Sequence, residues 1–174
     1  MNKKTIYIIV AVLVIVIVAA AAGILLMNNN NPAPTPTPTP TTGNGIADAT
    51  TLTYSANVTN QGATTEYKWS GKNIHSTNIT LRVDFANYAY IIDASQNKSW
   101  ISTDSGATWA ASTFTGATGD WASWEPQWTA NVDNLTQWSG TGNAEYTDAT
   151  GSAVVMFNIV VNPTIPDSTF TATT

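Results

Sequence analysis

The chain has 174 residues, is 43% hydrophobic, contains no cysteine and carries a net charge of −5. Without cysteine there is no disulfide, no thiol catalysis, no thiolate metal site and no lipidated N-terminal cysteine. Lys3 and Lys4 stand at the start, whereas residues 43–174 hold four basic and eleven acidic side chains, a surplus that repels phosphate backbones and argues against nucleic-acid binding.

In chain order, residues 1–4 form a short basic tail, expected in the cytoplasm. Residues 6–27 carry no charge. As a helix they would span about 33 Å, close to the hydrocarbon thickness of a bilayer. With lysines before the run and no basic residue close after it, the expectation is a single-pass anchor over residues 5–27, N-terminus inside and the rest outside. A cleaved signal peptide is the alternative, with small residues for cleavage at Ala19–Ala22. The apolar run, however, exceeds a usual signal core of about 7–15 residues and continues past the alanines. A pilin-like signal is a further alternative, although Thr5 stands where such signals usually place Gly or Ala.

Residues 28–45, "NNNNPAPTPTPTPTTGNG", read as a linker. Alternating prolines fix φ and remove donors, so polyproline II is the expected conformer. Residues 32–42 would reach on the order of 34 Å at about 3.1 Å each. Their threonines are candidate O-glycan sites.

From residue 46 to 174 the pattern becomes short and alternating, as expected for an extracytoplasmic β-domain. "LTYSANV" sets Leu52, Tyr54, Ala56 and Val58 on one face; "TEYKW" sets Tyr67 and Trp69 there, and "ITLRVDF" Ile79, Leu81, Val83 and Phe85. Period-two patterning of this kind predicts half-buried antiparallel strands. "YAYIID", "KSWIS", "ATW" and "AEYTD" continue it. "AVVMFNIVV" is apolar on both faces and is expected to be a central strand, stopped by Pro163 and Pro166. About eight strands result, with no internal repeat.

Residues 102–109, "STDSGATW", match the Asp-box pattern S-x-D-x-G-x-T-W residue for residue, through Ser102, Asp104, Gly106, Thr108 and Trp109. The motif recurs as a structural turn in sialidase-like β-propellers. A propeller needs at least four blades, and the single copy here leaves no room for them, so neither propeller nor sialidase activity is expected. The motif predicts a hairpin turn, with Gly106 at positive φ and Thr108 and Trp109 opening the return strand.

Residues 119–138 hold four of the seven tryptophans. On a wheel of about 100° per residue, Trp121, Trp124, Trp128, Val132 and Leu135 share an arc of about 80°. Trp138 falls at its edge, and the polar side is assigned Ala130, Asn131, Asp133 and Gln137. The spacing predicts one amphipathic helix, N-capped by Asp120 and with Gly140 just past its end, either kinked at Pro126 or starting near it. It would cover the apolar face of the sheet, meeting Trp69 and Leu81 as core or as the lining of a ligand cavity. Sugar stacking by exposed tryptophans is the competing reading.

Catalytic and metal-binding patterns are sparse. His75 is the only histidine and sits in the loop-like "KNIHST". There is no G-x-S-x-G, Walker or G-x-G-x-x-G pattern. The spacing of Asp93, Ser95, Asn97 and Asp104 only faintly echoes a calcium loop, with Lys98 where glycine is needed, so neither metal nor cofactor is expected. A glycosidase pair would fall to Asp120 and Glu125 beside the tryptophans, although helix-end acids explain them better. Four N-x-S/T sequons, at Asn57, Asn78, Asn97 and Asn134, permit N-glycosylation of an outside domain.

The layout of basic start, apolar run, Pro-Thr stalk and small β-domain resembles archaeal membrane-anchored surface proteins, through "YKWSGKN", "YIIDASQNKSWISTDSGATW", "WSGTGNAEYTD" and "VNPTIPDSTF". More distantly, the order of strands in "KWSGKN…LRVDF…YIID…KSWI" is similar to the lipoprotein carriers of the LolA/LolB type. That resemblance implies an unclosed antiparallel half-barrel with helices over an apolar cavity, and assigns no functional residue here. The expectation is a non-catalytic module that binds an apolar ligand such as a lipid, or a surface protein or glycan. The alternatives are a structural stalked envelope component and a carbohydrate-binding or carbohydrate-hydrolysing domain.

Overall fold

The computed structural model describes residues 45–173; the expected tail and anchor, and the linker up to residue 44, lie outside the described residues. β1 (Thr51–Asn60) and β2 (Ala63–Lys72) form a ten-pair hairpin closed by Gln61 and Gly62, both at positive φ. Two such residues give the turn whose twist matches that of the strands. β3 (Thr80–Phe85), β4 (Tyr88–Asp93), β5 (Lys98–Ser102) and β6 (Ala110–Ser112) follow as a meander. α1 (Asp120–Leu135) comes next, then β7 (Ala144–Thr147) and β8 (Ala153–Val161). The described chain is therefore mainly β: one open, eight-stranded antiparallel sheet in the order β6-β5-β4-β3-β2-β1-β8-β7, with one α-helix.

Sequence and topology together dictate where α1 lies. It links β6 to β7, the two outer edges of the sheet, so it must cross the sheet. The face it crosses is the apolar one: Leu52, Tyr54 and Ala56 of β1, Trp69 of β2, Leu81 and Val83 of β3, Ile92 of β4 and Met156 of β8 share one buried cluster with Trp124, Trp128, Val132 and Leu135.

β8 lies second from the edge, not at the centre. Its first face is core, through Val154 and Met156; on the other, Val160 is 43% exposed, so the second apolar face has no matching cover. One extra residue in β8 between the partners of Thr53 and Ser55 marks a bulge, where Asn158 takes φ 53°. The extra residue resets the alternation, so that Met156 and Val161, an odd number apart, both join the main cluster.

The opposite face carries a smaller cluster of Ala89, Ile91 and Trp109, with Trp100 and Ala172 against it. β4 is consequently buried on both faces at its centre. The C-terminal segment reaches this side through a 3-10 turn at Asp167–Phe170. Lys72 pairs with Asp167 at 2.5 Å and stands over the Phe170 ring, and Arg82 Nη1 donates to the Thr169 carbonyl at 3.2 Å.

Candidate functional site

The tryptophan face is a packed interior. Trp128 and Trp69 are each 2% exposed, Leu135 and Leu81 are fully buried, and Val132 and Trp124 are buried as well. Trp128 lies 5.7 Å from Tyr54 and 5.9 Å from Trp69, centroid to centroid. Its six-membered ring occupies the space above Gly71, within 2.5 Å of where a β-carbon there would stand. Trp124 touches Tyr67, Trp69, Phe85 and Tyr90 at 5.1–6.2 Å, in tilted and edge-on arrangements. Offsets of this kind suit the ring quadrupole better than face-to-face stacking. Trp121 departs from the set. It is half-buried and stacks on Phe114 at 5.7 Å, because it belongs to the first turn, which the chain enters from the β6 edge.

Three features of the helix differ from the sequence expectation. It begins at Asp120 with Gly119 as its N-cap, so Asp120 is its first residue and caps nothing with its side chain. It runs unbroken through Pro126, starting well before it, and it ends at Leu135, short of Gly140. Asn131 is the third difference: it is 4% exposed, and lies inside the fold instead of on the polar side. On the wheel it falls about 20° from Trp124, so the stripe is wider than its apolar members. Its amide Nδ2 donates to Tyr54 Oη at 2.8 Å, and its Oδ1 accepts from Tyr146 Oη at 2.6 Å. Burial pushes the Tyr54 phenol well above its ordinary pKa, partly opposed by the Asn131 hydrogen bond. Tyr146 is pushed up to about 12, by burial first and then by Asp148. An amide and two neutral phenols thus satisfy one another inside the apolar layer, a structural arrangement with no group free to exchange protons near neutral pH.

The Asp-box turn is built from its own side chains. Ser102 is buried; its hydroxyl donates to Asp104 at 2.7 Å and accepts from the Gly106 amide at 2.8 Å. Asp104 also accepts from the Thr108 amide at 2.8 Å and the Thr108 hydroxyl at 2.6 Å. These bonds hold the Asp104 carboxyl down at about 2, the Ser102 hydroxyl contributing most. Gly106 takes φ 89°. Trp109, buried in the smaller cluster, precedes β6, which starts only at Ala110. The Arg82 guanidinium stands 5.5 Å from its ring while forming a fork with Asp84. The motif thus couples a turn to the packing of the second face. Asp104 is spent on amides and hydroxyls, which fits a structural role.

The remaining candidates do not converge. Among the sequons, Asn78 and Asn97 are exposed in turns, Asn57 is half-buried within β1, and Asn134 donates to the Ala130 carbonyl from within α1. His75 Nε2 bonds the Ile46 carbonyl at 2.6 Å, so it pins the start of the domain. Asp93 accepts from Ser95 and Gln96 inside its own turn. No group of three metal-ligating side chains gathers among the described residues, and no described helix is long and apolar enough to cross a membrane. Asp120 and Glu125 stand about 140° apart around the helix and share no face. Glu125 accepts from Thr129, whereas Asp120 Oδ2 is buried without a partner, as are Ser99 Oγ and Trp128 Nε1. A surface cleft of about 200 Å³ is lined by Glu66, Lys68, Asp84, Phe85 and Ala86; none of the helix residues singled out in the sequence lines it, although Trp124 packs on Phe85. No protein-family model, no curated protein and no solved structure matches the chain.

Proposed function

We propose that the chain is a single-pass, membrane-anchored module whose β-domain stands outside the cell and binds a surface partner without catalysis. The observation that carries this reading is the order of segments: two lysines, 22 uncharged apolar residues, a Pro/Thr stalk, then a β-domain with its own core. A stalk of this stiffness has a use only if it holds the domain away from something. The filled tryptophan face favours a partner met at the surface over an apolar ligand taken inside. On that point the module differs from the lipoprotein carriers it distantly resembles in strand order. The half-barrel shape belongs to the same proposal.

Protease treatment of intact cells tests the placement. Loss of the domain by cleavage in the stalk is expected; a domain protected in intact cells and cut only after lysis would overturn it. Titration with a hydrophobic fluorescent probe tests the mode. Saturable binding by the folded domain would restore the internal-ligand reading.

A further inference from the structure

The four sequons are not equivalent once the domain has folded. An asparagine is glycosylated together with a Ser or Thr two positions on, so the carboxamide and that hydroxyl must both be presented to the transferase. In three of the sequons the fold withholds at least one of the two. Asn57 lies in β1 between Glu66 of β2 and Val155 of β8, and the hydroxyl of its Thr59 is bonded to Thr64 Oγ1 at 2.8 Å. Asn134 Nδ2 donates to the Ala130 carbonyl at 2.8 Å, and Thr136 Oγ1 donates to the Asp133 carbonyl at 2.6 Å. Asn97 is exposed in the β4–β5 turn, but Ser99 is 2% exposed and its hydroxyl is buried, on the side of its cross-strand partner Ile92.

Asn78 differs from all three. It is exposed, in the loop that links β2 to β3. Its backbone is held, the amide donating to Ser76 Oγ at 3.1 Å and the carbonyl accepting from Asn73 Nδ2 at 3.4 Å. Its carboxamide forms no hydrogen bond among the described residues. Thr80 opens β3 on the face that α1 leaves uncovered, since the next residue, Leu81, is core. Its hydroxyl likewise forms no hydrogen bond among the described residues. Ile79, between them, is buried and its carbonyl accepts from the Ala94 amide, which fixes the end of the loop without engaging either group. His75, in the same loop, ties it to the start of the domain through the Ile46 carbonyl.

We propose that Asn78 is the acceptor of an N-linked oligosaccharide added to the folded domain, and that Asn57, Asn97 and Asn134 stay bare. The inference rests on the outside placement proposed above, where the chain meets a glycosyl donor. The donor class is an oligosaccharide activated as a phosphate ester. Asn78 Nδ2 bonds to its anomeric carbon, the anomeric C–O bond breaks, the phosphate leaves with the electron pair, and the nitrogen gives one proton to a base of the transferase. Thr80 contributes its hydroxyl as the recognised group and is not consumed.

Trypsin separates the four sequons, because the six basic residues place them in residues 5–68, 73–82, 83–98 and 99–174. Mass spectrometry of the full chain, isolated from its own membranes, should find an asparagine-linked glycan on Asn78 in residues 73–82 and on no other asparagine. Asn78→Gln and Thr80→Ala should each abolish it, and Thr80→Ser, which keeps the hydroxyl, should retain it. A bare Asn78 would overturn the proposal, as would a glycan on Asn57, Asn97 or Asn134, or one on Asn78 that survives Thr80→Ala. Protease treatment of intact cells keeps the two readings apart. A domain cut from outside whose Asn78 is bare defeats this inference alone; a domain protected until lysis defeats the placement and this inference with it.

Discussion

At Gly106 the backbone stands at φ 89°, and a β-carbon would come within 3.1 Å of Arg82 Nη2 and 3.5 Å of the Trp109 ring. Backbone strain and crowding therefore act together. Gly106→Val should cost about 1–3 kcal/mol, read as a lowered melting temperature of the protein; an unchanged melt would mean that the turn relaxes freely. Asn131 poses the reverse problem, a polar group inside the core. Asn131→Ala removes the donor to Tyr54 and the acceptor for Tyr146 in one step. Leaving buried hydroxyls unsatisfied costs about 1–3 kcal/mol. Denaturant unfolding should show that loss, and a negligible change would place water where the amide was.

At the scale of the element, α1 is held by its rings. Trp128 sits against Tyr54, Trp69 and the bare backbone of Gly71, with its indole nitrogen unpartnered, so packing is what retains it. Trp128→Ala should cost about 3–5 kcal/mol. Gly71→Ala should cost about 1–3 kcal/mol, although it only adds a methyl group, because that methyl lands inside the ring. If Gly71→Ala melted like its parent while Trp128→Ala did not, the ring would have room to move, and a cavity reading of the helix would regain support. The strands and the tryptophan stripe were legible because alternation and the helical period are written directly in side-chain polarity. The passage through Pro126 was not, since tertiary packing overrides a local penalty that sequence reasoning counts in full. Asn131 was hidden for a related reason: its partners, Tyr54 and Tyr146, lie 77 and 15 residues away, and polarity alone assigns an asparagine to the surface.

For the whole molecule, eight strands and one covering helix could be read in advance, but not the order of the strands. β8 looked central because it is apolar on both faces, yet it pairs next to the edge, and the β4 centre is doubly buried instead, under Trp109 and the C-terminal segment. Nothing in a local pattern says which face a distant tail will cover, nor that β2 outruns β3. One property follows from the assembled core and from no single element. Tyr54, Tyr67, Tyr90 and Tyr146, drawn from β1, β2, β4 and β7, all have phenols held above their ordinary value, in each case by burial first; Tyr90 and Tyr146 reach about 12. An unfolded phenol titrates near about 10. The folded state therefore keeps its phenolic protons where the unfolded state gives them up. The stability tied to those neutral phenols is present below about pH 10 and is lost as the pH rises through the folded values. Melting temperature should fall steeply above about pH 10, with phenolate absorbance rising together with unfolding and not before it. Four of the chain's six tyrosines ionising near pH 10 in a domain that still melts cooperatively would show that the aromatic layer is open to water.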